Sequence, residues 1–140
     1  MDNLDMARAN LRQAVERIET VKRALEGGNY AYAVRQSQEC VELTLKAALR
    51  VVGVEPPKWH DVGPVLKREG YRYPEWFREK LDDLVSISRS LRKERELAMY
   101  GDEELKLPPD ELYVRRDAER ALSDAQYVLE LVQKLLITNP

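Results

Sequence analysis

The sequence has one cysteine, one histidine and no long apolar run. Each shortage closes off a class of function. A single thiol, Cys40, forms neither an intrachain disulfide nor a zinc cluster, so a reducing, cytoplasmic setting is expected. Cys40 lies inside an apolar helical pattern with no histidine or cation cluster beside it. It reads as a core or boundary residue rather than a reactive thiol. The lone histidine, His60, is followed by Asp61, but one His-Asp pair falls short of the three or four ligands a metal site gathers. A single histidine and no activated serine also argue against a Ser-His-Asp hydrolase. Helical Glu-x-x-His pairs, the mark of di-iron bundles, do not occur. A Walker loop and a dinucleotide glycine fingerprint are missing as well, so no cofactor and no metal are expected. No stretch reaches the roughly 18 apolar residues of a membrane span, and the acidic opening Met1-Asp2-Asn3-Leu4-Asp5 is not a signal peptide. A soluble protein without a membrane partner is expected. Alternating apolar runs are absent, so no strand is predicted. Asparagine and glutamine are few against a charged fraction of 34%, a compositional lean towards a thermophile.

What is present is charge and helical periodicity. The 140 residues are 44% apolar, enough for one domain over 1–140 with its own core. The formal net charge of −2 argues against long-range attraction to duplex nucleic acid and leaves room for a local basic cleft. Leu4, Leu11, Ile18 and Leu25 recur every seven residues and predict a first helix from Leu4 to Glu26. Gly27-Gly28-Asn29 stops it, with Asn29 placed to cap the next. The second helix spans Tyr30 to Val52. Its apolar stripe is wide enough to make it the most buried, with Ser37 and Thr44 expected to bond back to the helix backbone. Gly53 and Pro56-Pro57 end it. A short helix carries Val65 and Leu66, with Asp61 or Gly63 as its cap. Trp59, Tyr71, Tyr73 and Trp76 are expected to cover one end of the core. The third main helix runs from Pro74 to Met99, and the fourth from Pro108 to Ile137. The expectation is an all-α fold: an antiparallel four-helix up-and-down bundle with a short extra helix between helices two and three.

One stretch breaks the pattern. Phe77, Leu81, Leu84, Ser88 and Leu91 trace the inner face of the third helix, and at about 100° per residue Arg95 falls on that same line, under Phe77. A guanidinium on an apolar face is costly unless an acid or a ligand phosphate meets it. Arg92 lies one turn earlier, Tyr100 five residues later, and Gly101 stops the helix before an acidic, mobile loop beginning at Asp102. Two arginines one turn apart can clamp a phosphate, and a tyrosine hydroxyl beside them can donate a hydrogen bond or stack on a base. The plain alternative pairs Arg95 with Glu42 or Glu39 and stitches two helices together.

Three segments carry a resemblance. They are Gly28-Asn29-Tyr30-Ala31-Tyr32-Ala33 leading into Ser37 to Ala47, with Glu42 four residues before Lys46; His60-Asp61-Val62 with Val65-Leu66; and Arg92 to Asp102. Their order and spacing resemble the HEPN family, the small helical domains named for higher eukaryotes and prokaryotes nucleotide-binding. The resemblance implies a four-helix bundle that forms a homodimer. It implies either a nucleotide-binding accessory role or a metal-independent ribonuclease, in which an arginine, four to six residues and a histidine meet their copy across the dimer cleft. It also implies a minimal nucleotidyltransferase as partner in a toxin–antitoxin pair. Arg95 matches the arginine, and Tyr100 stands where the histidine would be, which departs from the ribonuclease pattern. Glu96 follows the arginine where the family often has Asn, Asp or His.

Three readings remain open. In the first, an accessory protein binds nucleotide or single-stranded RNA through Arg92, Arg95, Tyr100 and Asp102. In the second, a ribonuclease toxin uses Arg95 and Tyr100 as catalytic residues, with His60 as an alternative proton donor. The third is a structural helical adaptor.

Overall fold

The computed structural model describes residues 2–58 and 61–138. Trp59 and His60 lie outside the described residues, and with them the expected roles of that tryptophan and histidine. The helices in chain order are α1 (Asn3–Glu26), α2 (Tyr30–Val51), α3 (Gly63–Arg68), α4 (Glu75–Arg78), α5 (Leu81–Tyr100), α6 (Pro109–Leu112) and α7 (Arg115–Thr138). The four long ones, α1, α2, α5 and α7, form the expected all-α up-and-down bundle. Among the described residues no strand occurs, and a single isolated bridge joins Asp102 to Leu107.

Helix α1 starts at a capping box: Asp2 accepts the backbone N–H of Asp5 at 2.8 Å, satisfying one of the donors a helix start leaves open. Its apolar stripe buries Ala7, Leu11, Ala14, Ile18, Val21 and Ala24, whereas Leu4 and Leu25 are only half-buried. Asn29 does not cap α2 through its side chain. Its backbone instead finishes α1. The N–H of Asn29 donates to Ala24 O at 2.8 Å and that of Gly28 to Leu25 O at 3.1 Å, a Schellman motif that needs the left-handed φ of 75° at Gly28.

Helix α2 is the centre of the bundle and packs on α1, α5, α6 and α7. Ser37 donates to Ala33 O at 2.8 Å and Thr44 to Cys40 O at 2.7 Å, so both buried hydroxyls are satisfied within the helix. Cys40 is fully buried, with its sulfur 3.4 Å from Ala14 O of α1, and burial pushes its thiol up to about 11. The N-cap position of α3 is Val62, and Asp61 just before it accepts Gly63 N–H at 3.0 Å and the Ser88 hydroxyl of α5 at 3.1 Å. Tyr73 and Phe77 close one end of the core with ring centroids 4.8 Å apart, and the Tyr73 hydroxyl donates to Ala48 O at 2.8 Å.

The third main helix is not continuous. It divides at Glu79–Lys80, where Lys80 N–H donates to Phe77 O at 2.9 Å, a tighter i to i−3 bond than the α-helical one. The tightened turn separates α4 from α5, so the direct phase line from Phe77 to Arg95 does not survive. The last helix also divides, with Tyr113–Val114 between α6 and α7.

Candidate functional site

Helix α5 buries Leu81, Leu84, Val85, Ser88, Leu91 and Ala98. Arg95 is four residues after Leu91 and three before Ala98, so it falls within the buried arc of α5 itself. It is nonetheless exposed. The face that α2 and α3 cover further up the helix is left open at Arg95. Among the described residues no acid lies within ion-pair distance of it.

The acid expected for Arg95 is taken by its neighbour. Arg92 Nη1 donates to Glu42 Oε1 of α2 at 2.6 Å, with the two side chains 32% and 26% exposed. A charge-assisted bond of that length in a half-buried setting fixes Arg92 in place. Glu39 is engaged on the other side of α2, 3.6 Å from Arg17 of α1. The stitching role foreseen for Arg95 thus belongs to Arg92.

Tyr100 is 65% exposed at the last position of α5. Because the helix continues unbroken to that point, Tyr100 lies about 140° around the axis and about 7.5 Å along it from Arg95. Met99, not Tyr100, shares the Arg95 face. The corner after Tyr100 is tight. Gly101 has φ 78°, and a Cβ there would stand 2.2 Å from Leu107 O. That close approach lets Asp102 and Leu107 exchange two backbone hydrogen bonds, each 2.9 Å. Asp102 Oδ1 also accepts Leu105 N–H at 3.0 Å. The loop foreseen as mobile is a hydrogen-bonded turn.

A groove of about 350 Å³ lies on the other flank of α5, between it, α6 and α7. Val34, Leu91, Leu97, Leu112 and Ala121 supply its apolar lining, and Glu94, Asp102, Asp117 and Asp124 ring it, with Arg120 the single cation. Arg92, Arg95 and Tyr100 are not among its lining residues. Asp102 therefore faces a different surface from the arginines with which it was grouped. Tyr113 donates to Glu94 Oε2 at 2.6 Å, and burial, then that carboxylate, push its phenol well above the usual range. Burial also raises the pKa of Asp124, which Arg120 opposes. Sequence reasoning missed this groove because its acids come from three segments separated along the chain, which only the packing of α5, α6 and α7 brings together. Tyr113, an aromatic just before a helix start, was the one local hint.

Among the described residues no group of three or more His, Cys, Asp or Glu could hold a metal ion. No helix there is long and apolar enough to cross a membrane.

Comparison with known proteins places these features in a family. The family model described as HEPN domain matches residues 7–135. A Methanocaldococcus jannaschii protein described as a candidate toxin is 32% identical over 139 residues, covering 96% of this chain and 90% of that one. The crystal structure of a Thermus thermophilus protein superposes with a TM-score of 0.74 at 29% identity, over 91% of this chain and 96% of the other.

Proposed function

The chain belongs to the HEPN domain family, and from that premise we propose that it is a toxin-like accessory protein that binds nucleotide or single-stranded RNA. The observation that carries this reading is Arg95: a guanidinium on the inward arc of α5, exposed, with no acid among the described residues to neutralise it. Arg92 borders the same surface but is held by Glu42, so it gives shape and a muted charge. Arg95 takes the phosphate. Tyr100, exposed at the end of the helix, offers its ring to a base. Asp102 takes no part in this contact, because its carboxylate holds Leu105 N–H on the flank of the acidic groove. The working form is a homodimer in a single-domain, cytoplasmic setting. Its partner is a minimal nucleotidyltransferase of a toxin–antitoxin pair, and the name of the archaeal relative supports the toxin part of that reading.

The test is a titration of ATP and of a short single-stranded RNA against wild type and Arg95→Ala. Wild type is expected to bind, and the variant to lose about tenfold to a hundredfold in affinity, the range of one charge-assisted hydrogen bond. Absence of binding by either protein at high micromolar ligand would overturn the reading.

The candidate-toxin relative also supports a second reading, a metal-independent ribonuclease. Arg95 would stabilise the scissile phosphate, with Tyr100 as proton donor. The separation of the two around α5 weighs against one protomer presenting both to one phosphate. RNA cleavage in chelator, lost in both Arg95→Ala and Tyr100→Phe, would establish this reading; chelator-resistant cleavage unchanged in Tyr100→Phe would remove the tyrosine from it.

A further inference from the structure

Among the described residues the outward face of α1 has no partner in the bundle. Asp5, Arg8, Arg12, Glu16, Glu19 and Arg23 are all exposed, and they recur at intervals of three and four residues. At 100° per residue all six fall within a strip about 80° wide, with Glu26 beyond them at its C-terminal end and with Asp5–Arg8 and Glu19–Lys22 already in ion pairs along the helix. Their signs run minus, plus, plus, minus, minus, plus. Turned end for end about Ala14, the order becomes its own complement: Asp5 meets Arg23 and Arg12 meets Glu16 in register, and Arg8 and Glu19 stand one residue out of register, within reach of their long side chains. Self-complementarity of this kind is what a two-fold contact requires, because each residue of the patch must meet its counterpart on an identical surface.

Two more observations point the same way. Arg12 and Glu16 stand four residues apart yet make no ion pair with each other, and among the described residues neither has another ionic partner. These are the charges nearest the two-fold point. An apolar groove also runs beside the strip between α1 and α7, lined by Leu11, Val15, Leu136 and Ile137, with Val15 39% and Ile137 79% exposed. Val15 is one residue from the two-fold point, so the Val15 side chains of two copies would meet beside the axis.

We propose that the outward face of α1 is a docking surface for α1 of a second copy of this chain, packed antiparallel about Ala14. The charges set the register and exclude the parallel arrangement, which would bring like signs together. The apolar groove supplies the area that exposed ion pairs alone do not. Helix α1 packs on α2 and α7, and Arg95 is carried by α5, which packs on α2, α3, α6 and α7, so this contact leaves the Arg95 surface free. It does not depend on the nucleotide reading. Where the α5 face also pairs, two different two-fold contacts close a four-copy assembly.

Light scattering or sedimentation of the full chain at micromolar concentration tests it. Wild type is expected to assemble. Arg12→Glu should weaken the contact by about tenfold or more and halve the mass. The swap Arg12→Glu with Glu16→Arg should restore it, since every opposed pair regains opposite signs. Arg8→Glu and its swap with Glu19→Arg should repeat the pattern one turn away, and circular dichroism confirms that each variant is helical. A monomeric wild type, a mass indifferent to Arg12→Glu, or a folded swap that stays dissociated overturns the proposal. ATP affinity of Arg12→Glu should match that of wild type.

Discussion

Glu94 and Arg95 are neighbours in the chain and belong to opposite surfaces. Helical geometry turns one about 100° from the other. Glu94 lines the acidic groove between α5, α6 and α7, latched by the Tyr113 hydroxyl at 2.6 Å. Arg95 stands on the open flank, next to an Arg92 already neutralised by Glu42. One flank repels a phosphate and the other offers it a bare guanidinium. The difference teaches that the sign of a helix surface here is decided less by local composition than by which charges the neighbouring helices consume.

That contrast can be broken most forcefully at Gly101, where both flanks end. Gly101→Ala places a Cβ against Leu107 O at a position with φ 78°, so the Asp102–Leu107 pairing must open. Urea unfolding is expected to show a loss of about 3 kcal/mol. A loss below about 0.5 kcal/mol, the scale of an ordinary surface change, would mean the corner is not what fixes Asp102.

Glu42→Ala sharpens the contrast. It removes the acid that holds Arg92, with an expected cost of roughly 1–2 kcal/mol, discounted because both side chains are partly in water. At the same time it frees a second guanidinium beside Arg95. Phosphate and ATP affinity should therefore rise while stability falls. Parallel losses in both measurements would show that Arg92 is needed in its present position.

The smallest expected effect lies in the acidic groove. Burial raises the pKa of Asp124 above its usual 3.8, so the folded state holds a proton at a pH where the unfolded state has released it. Stability contributed by this group is present below the unfolded pKa and falls as pH rises through the folded one. Asp124→Asn should be slightly more stable than wild type at neutral pH, and the gain should vanish in acid. Thermal melts at the two pH values check it, and an advantage that persists in acid would contradict the assignment.

The long helices were legible because their apolar residues keep a 3.6-residue period over five or six turns, with glycine and proline between them. The break at Glu79–Lys80 was not legible, since Glu75 to Lys80 holds no glycine and no internal proline. It arises where Tyr73 and Phe77 pack the end of the core, a tertiary demand that overrides helix propensity. Arg95 shows the limit of a helical wheel most clearly. The wheel gave its direction within α5, but direction says nothing about whether another helix lies there. The Arg92–Glu42 pair was close to legible. The acid was named, and the arginine was mistaken by one turn because a wheel does not show which turn of α5 stands level with Glu42 of α2. Asp102 was grouped with the arginines by sequence distance alone, and a turn of backbone carried it to the other side.

Cys40 adds a kinetic handle. Its sulfur is fully enclosed between α1 and α2 and disinclined to ionise, so a thiol reagent meets it only when those two helices part. The rate of its modification is then a clock for the opening of the bundle, started by nothing more than the chain's own single thiol.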